Sequence, residues 1–159
     1  MPQITAVLHT HNDALRLGRC LETLYPCDEI VVVDRGSSDR TLHLAREYGA
    51  RVLEMKAGNG LSTYSQIAPA GWILCLDVRE SLTEALAASL YEWKTAERIR
   101  ADSSFSALLR EETDSGWMEH AVAQTRLVPS GWSRWKGRLP EDDPAAVVLQ
   151  GEILRFGMP

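Results

Sequence analysis

The sequence predicts an α/β fold, a mostly parallel sheet flanked by helices with a β segment at its carboxyl-terminal end. Three observations carry this. Residues 4–8, 30–33 and 72–76 are short, almost unbroken apolar runs, as expected of strands covered on both faces. Segments with apolar residues at helical spacing separate these runs. After about residue 100 the helical spacing fades and short strand candidates replace it. Alternation of strand and helix favours parallel pairing through right-handed crossovers.

Residues 4–8, Ile-Thr-Ala-Val-Leu, form the first expected strand. Asn12 suits a helix N-cap, and Leu17, Leu21 and Leu24 continue at helical spacing until Pro26 ends the helix. Residues 30–33 are rich in β-branched side chains and form the second strand. Gly36-Ser37-Ser38-Asp39 opens a second helix, striped by Leu42, Ala45 and Tyr48 and stopped by Gly49. Residues 51–55 alternate as a third strand. Residues 57–60 read as a turn and 61–68 as a short helix before Pro69. Residues 72–76 make the fourth strand. Ser81-Leu82-Thr83-Glu84 matches a capping box, followed by a stripe of Leu82, Leu86, Leu90 and Trp93. Residues 105–109, 121–128, 145–149 and 153–156 are strand candidates laid on or beside the sheet.

The chain has 159 residues, 45% of them hydrophobic, which suits one domain with a core of its own. Its formal net charge is -5, with no cluster of Lys and Arg, which argues against a nucleic-acid surface. No apolar run approaches the roughly 20 residues of a membrane-spanning helix. Met1-Pro2-Gln3 lacks the basic-then-apolar start of a signal peptide, so a cytoplasmic protein is expected. Cys20, Cys27 and Cys75 are odd in number and form no Cys-x-x-Cys pair, which points to free, buried thiols and away from structural zinc.

Open parallel sheets bind ligands beyond the carboxyl ends of their strands. Three strands end there in polar residues, namely Thr10-His11-Asn12, Asp34 and Asp77, and together they outline a pocket. Asn12 serves equally as a helix cap, and Asp34 in Asp-Arg-Gly equally as a turn residue. Asp77 directly follows an apolar run and there meets water or a cation. The amides of residues 36–39 suit an anion, or simply start a helix. His9 and His11 share one side of a strand end; without a third ligand they form a pocket wall rather than a metal site.

Residues 4–12, the stretch Ile30-Val31-Val32-Val33-Asp34-Arg35-Gly36-Ser37-Ser38-Asp39-Arg40-Thr41, residues 45–52 and the run Gly71 to Asp77 resemble, in order and spacing, family 2 glycosyltransferases of the GT-A fold. The pattern is most similar to the subgroup of lipopolysaccharide-core and surface-glycan synthesis, with a weaker echo in Arg126-Leu127-Val128, Trp135-x-Gly137, Glu141 and residues 149–153. The resemblance implies a single GT-A-like domain over 1–159: a nucleotide-binding half over 1–80 and a shortened acceptor-side half over about 100–159. It implies a nucleotide-diphosphate sugar donor and inverting transfer. Thr10, His11, Asn12, Asp34, Gly36 and Ser37 would bind the nucleotide, and Asp77 would face the metal and diphosphate. A carboxylate would act as general base, and Mg²⁺ or Mn²⁺ would stabilise the leaving diphosphate.

The chain departs from that pattern in three places. The family's Asp-x-Asp reads Asp77-Val78-Arg79. Either Arg79 itself neutralises the diphosphate, or Glu80 joins Asp77 at a metal, or metal binding and catalysis are lost, with no cofactor. Tyr64-Ser65-Gln66 holds no cation where the family has Arg-Asn. Pro140-Glu141 stands where the subgroup has His-Glu; Glu141 is the candidate base, or else residues 141–144 form a solvated acidic turn. Trp72 and Trp93 belong to the core, whereas Trp117, Trp132 and Trp135 either stack on an acceptor sugar or cover a sheet face or partner. The chain is short for a complete sugar transferase, and a homodimer would supply missing walls. Two readings follow: a sugar transferase, or a catalytically impaired relative that binds a nucleotide or a protein partner. A receiver-type module fits the irregular tail poorly.

Overall fold

The computed structural model describes residues 2–55, 67, 68, 71–96 and 103–159. The expected turn over 57–60 and most of the short helix over 61–68, with Tyr64-Ser65-Gln66, lie outside the described residues. Strands β1 (Ile4–Thr10), β2 (Glu29–Asp34), β3 (Arg51–Glu54) and β4 (Trp72–Asp77) pair in parallel in the order β3-β2-β1-β4. The α/β expectation holds, because β1, β2 and β4 are apolar on both sides and helices return the chain between β1 and β2 and between β2 and β3.

The carboxyl-terminal strands extend this sheet rather than lie over it. Strand β8 (Gln124–Pro129) joins β4 antiparallel, and β6 (Phe105–Thr113), β11 (Val147–Arg155) and β5 (Glu80–Leu82) follow in that order. Strand β7 (Gly116–Glu119) pairs with β6, and β9 (Trp135–Lys136) with β10 (Leu139–Pro140) forms a separate hairpin. The candidates at 145–149 and 153–156 are one strand, β11, whose register shifts between Val148 and Glu152.

Side-chain alternation sorts the core into two layers. Ile4, Ala6, Leu8, Val32, Trp72, Leu74 and Leu76 face the helices, α1 (Ala14–Leu21), α2 (Thr41–Glu47) and α3 (Glu84–Thr95). Val7, Val31, Val33, Ile73 and Cys75 face the other way, where Trp132 and the hairpin's Trp135 and Leu139 pack on them. Trp72, Trp93 and Phe105 meet edge-to-face with centroids 4.9, 5.5 and 5.8 Å apart. Cys20 and Cys75 are buried, and all three thiols are free. Burial pushes the Cys75 thiol up to about 12, so it stays protonated and inert. Among the described residues no helix is long and apolar enough to cross a membrane.

Several local expectations are corrected. Asn12 is not a helix cap: it has φ 53°, and α1 starts only after Asp13. Helix α1 ends at Leu21, well before Pro26. Helix α2 begins at Thr41, so residues 36–39 form a loop rather than a first turn. Tyr48 is exposed, and its hydroxyl donates to Glu22 at 3.0 Å. The capping box at Ser81 fails because Ser81 and Leu82 lie in β5, and the cap is Thr83. Thr83 Oγ1 accepts from the Leu86 N–H at 3.2 Å and the Glu152 N–H at 3.1 Å, binding helix start to strand. Thr83→Ala is therefore expected to cost about 1–2 kcal/mol, the range of a lost N-cap, read as a shifted urea midpoint at unchanged slope.

Candidate functional site

The loops after β1 and β2 are tied together by their own polar side chains. Thr10 and Asp34 are register partners, and Thr10 Oγ1 donates to Asp34 Oδ1 at 2.7 Å. Asp34 also accepts from the Gly36 N–H at 3.1 Å, the Ser37 N–H at 2.8 Å and Ser37 Oγ at 2.5 Å. These donors fill the lone-pair directions of a carboxylate. Gly36, at φ 83°, lets the loop double back onto it. Burial opposes the Asp34 charge most strongly, but the bonds from Ser37, Thr10 and Gly36 outweigh it and hold the carboxyl below its usual range.

Asn12 completes the clasp. Its N–H donates to Ser37 Oγ at 2.9 Å, and its side-chain oxygen accepts from the Ser38 N–H at 2.8 Å. His11 Nδ1 lies 2.9 Å from the Arg35 carbonyl oxygen, to which it can only donate. Asp39 accepts from Thr41 Oγ1, from the Thr41 N–H at 2.9 Å and from the Ala14 N–H at 3.2 Å. The structure thus brings Thr10, His11, Asn12, Asp34, Gly36 and Ser37 together. Thr10 and Asp34 are buried and hold the loops; His11, Asn12 and Gly36 are exposed.

Asp34→Asn is expected to destabilise by about 1–3 kcal/mol at neutral pH, since an amide nitrogen cannot accept from the loop N–H groups. The folded-state pKa is depressed, so this stabilisation is complete above the unfolded pKa of about 3.9 and fades as pH falls through the folded value. Urea unfolding of both proteins should show their difference shrinking between about pH 7 and pH 3.

Asp77, at the end of β4, is the register partner of His9. Its Oδ1 accepts from the Arg79 backbone N–H at 2.9 Å and from Arg79 Nε at 2.9 Å, while Oδ2 lies 3.3 Å from Arg79 Nη2. Burial raises the Asp77 pKa, but the Arg79 guanidinium and amide beside it bring the carboxyl below its ordinary value. Glu80 does not join Asp77 as a ligand. It is fully buried, with Oε1 accepting from Arg126 Nη1 at 2.6 Å and Oε2 from Arg126 Nη2 at 2.9 Å. Arg155 Nη2 lies 3.0 Å from Oε2, and Oε1 accepts the Asp77 N–H at 2.8 Å. The apolar run before Asp77 gave no sign that the next acid, three residues on, would turn inward onto arginines from β8 and β11.

These donors were tested against the divalent cation that the Asp-x-Asp comparison implies. Both Asp77 oxygens are taken by Arg79, Glu80 is taken by two arginines, and among the described residues no group of three or more His, Cys, Asp or Glu could hold a metal. The residues do not fit the ion. Nearby, burial and then the charges of Arg138 and Arg35 push His9 down to about 4, so its ring is neutral at pH 7. Sequence reasoning missed Arg138; its only trace was its place next to Gly137 in the tail pattern.

Glu141 follows β10 and is exposed, its N–H donating to the Arg134 carbonyl at 2.9 Å. The neighbouring acids are not simply solvated. Asp142 accepts the Thr125 N–H at 3.0 Å, and Asp143 accepts from Ser104 Oγ at 2.7 Å and Arg134 Nη2 at 3.0 Å. Trp117 is half-exposed and packs edge-to-face on Phe156 at 5.4 Å, with Arg19 over that ring at 3.9 Å. The Phe156 N–H donates to the Arg79 carbonyl at 2.9 Å, which sets this aromatic pair beside Arg79.

Residues 5–77 match the family model described as Glycosyl transferase family 2. A TPR repeat-containing protein of Synechococcus elongatus is 33% identical over 129 residues, covering 76% of this chain and 30% of that protein. The lipopolysaccharide core biosynthesis glycosyltransferase LpsC of Rhizobium meliloti is 33% identical over 113 residues, covering 60% of this chain and 42% of LpsC. The chain therefore spans less than half the length of either relative. Glucosyl-3-phosphoglycerate synthase from Mycobacterium tuberculosis, solved with Mn²⁺, UDP-glucose and phosphoglyceric acid, superposes with a TM-score of 0.51 at 20% identity, covering 69% of this chain and 44% of that one. That likeness is one of fold.

Proposed function

The chain belongs to glycosyl transferase family 2, and from that premise we propose that the carboxyl edge of β1, β2 and β4 binds a nucleotide-diphosphate sugar for transfer to a carbohydrate acceptor. The observation that carries this is the register, in which Thr10 stands against Asp34 and His9 against Asp77. It sets three loops on one rim, where an α/β sheet takes its ligand. Thr10 and Asp34 fix the loop; His11, Asn12, Gly36 and Ser37 offer polar groups to the nucleoside; Arg79 meets the diphosphate.

Glu141 is the candidate general base, taking the proton of the acceptor hydroxyl as it attacks the anomeric carbon with inversion. The UDP-glucose bound by the mycobacterial synthase makes UDP the first nucleotide to try, and the name of LpsC makes a surface glycan the first acceptor class. A second reading, nucleotide binding without transfer, is favoured by the Asp77–Arg79 pair, which ties up the acid expected to serve the leaving group.

Calorimetry with UDP, GDP, CDP and dTDP tests the proposal. One nucleotide should bind, and Ser37→Ala should weaken it by roughly tenfold, the value of one or two hydrogen bonds. Failure of all four to bind would sink the reading. Given binding, Glu141→Gln separates the two versions: unchanged affinity with lost sugar transfer supports the base, and absence of transfer in the parent protein supports binding alone.

A further inference from the structure

Building on that nucleotide-binding reading, we propose that Arg79 stands in for the divalent cation, so that this rim binds a nucleotide diphosphate through guanidinium groups and without a metal. The fork of Arg79 onto Asp77 is the first ground. Nε and Nη2 face the two carboxylate oxygens, and the Arg79 backbone N–H adds a third donor. A cation approaching Asp77 would have to displace a guanidinium that the same loop already delivers. The second ground is Glu80, the only other acid of that loop. Its carboxylate is enclosed by Arg126 and Arg155 and cannot turn towards a metal without stranding both.

The third ground is what Arg79 still offers. A guanidinium has five N–H donors, and Asp77 uses the Nε–Nη2 edge. Its side chain is 45% exposed, so an anion can approach the guanidinium. A planar fork of this kind matches phosphate oxygens in pairs. The neighbourhood agrees, since Arg35 and Arg138 both act electrostatically on His9, the register partner of Asp77. Arg35, Arg79 and Arg138 thus gather at the Asp77 end of the rim, although the chain's net charge is -5.

The test titrates MnCl₂, inorganic pyrophosphate and UDP separately into the parent protein, Arg79→Met and Arg79→Asp, with each anion in EDTA and again in Mn²⁺. Circular dichroism checks that each variant is folded. The parent should take up no Mn²⁺ and should bind pyrophosphate and UDP equally, within twofold, in both buffers. Arg79→Met should lose roughly tenfold to a hundredfold in affinity in both, as expected for charge-assisted bonds. Arg79→Asp should gain Mn²⁺ binding and make anion binding metal-dependent.

Uptake of Mn²⁺ by the parent that disappears in Asp77→Asn overturns the inference while leaving the nucleotide reading intact. So does parental UDP binding that collapses in EDTA. A parent that binds neither anion in either buffer overturns the inference together with the functional reading.

Discussion

Glu80→Ala is expected to cost about 3–5 kcal/mol of folding stability, the penalty for breaking a buried ion pair from one side. Glu80 is 0% exposed and Arg126 2% exposed. Removing the carboxylate leaves the Arg126 fork, among the described residues, with the Cys75 carbonyl and the Gln124 side chain as acceptors, at 3.3 and 2.7 Å. Arg155 keeps Glu111, at 3.4 Å, and so is the less damaged partner. The Asp77 N–H also loses its acceptor, so the rim should loosen as the core weakens.

A double variant tells whether the cost is an uncompensated charge or a lost volume. Glu80→Leu with Arg126→Met removes both charges and keeps apolar bulk, and should recover most of the loss seen for Glu80→Leu alone. Urea unfolding measures all three. A double variant as unstable as the sum of its parts would show that charge pairing is not what holds β5 against β8 and β11.

Glu80 also marks where the sequence stopped being readable. The strands β1, β2 and β4 were legible because each is a largely apolar run with a polar residue at its end, a pattern that local sequence alone imposes. The same pattern set Thr10, Asp34 and Asp77 on one rim. The partners of those residues were not legible, since Arg126 and Arg155 lie 46 and 75 positions from Glu80 and meet it only through the sheet order. An acid three residues past a strand end looks like a surface group until long-range pairing buries it.

The carboxyl-terminal half failed for a related reason. Strand β7 is exposed along its whole length, so no buried face imposes alternation on it. Strand β11 was divided at Gly151, because a glycine inside a strand pattern reads as a break when it is here an irregularity in one continuous strand. The misplaced helix starts share one cause. Asn12, Ser37 and Asp39 are good capping residues, but Asn12 and Ser37 spend their side chains between the two loops, Asp39 divides its carboxylate between Ala14 and Thr41, and Asn12 takes a left-handed backbone that a cap does not use.

Gly151→Ala is expected to be at least as damaging as the loss of Glu80, at about 3–6 kcal/mol, combining backbone strain with overpacking. Gly151 has φ 97°, where a side chain is strained whatever the space. A Cβ there would stand 2.2 Å from the Leu86 nitrogen and 2.6 Å from its Cα, in the first turn of α3. Those atoms are backbone and cannot rotate away. Relief requires α3 to lift from β11, which withdraws Leu86, Leu90 and Trp93 from the core and breaks the Thr83 bond to the Glu152 N–H. Gly116→Ala is the matched control, because Gly116 has φ 110° and open space around it, so it carries the strain without the collision. Its cost should stay within about 1–3 kcal/mol. Thermal unfolding of the pair then isolates the steric part: a gap of several degrees or more, with Gly151→Ala the lower, fits a strand bent at Gly151 so that a helix start can rest on it. Equal melting temperatures would mean that α3 can ride up on β11 at little cost, and that the close approach at Gly151 does not hold the carboxyl-terminal strands to the rest of the sheet.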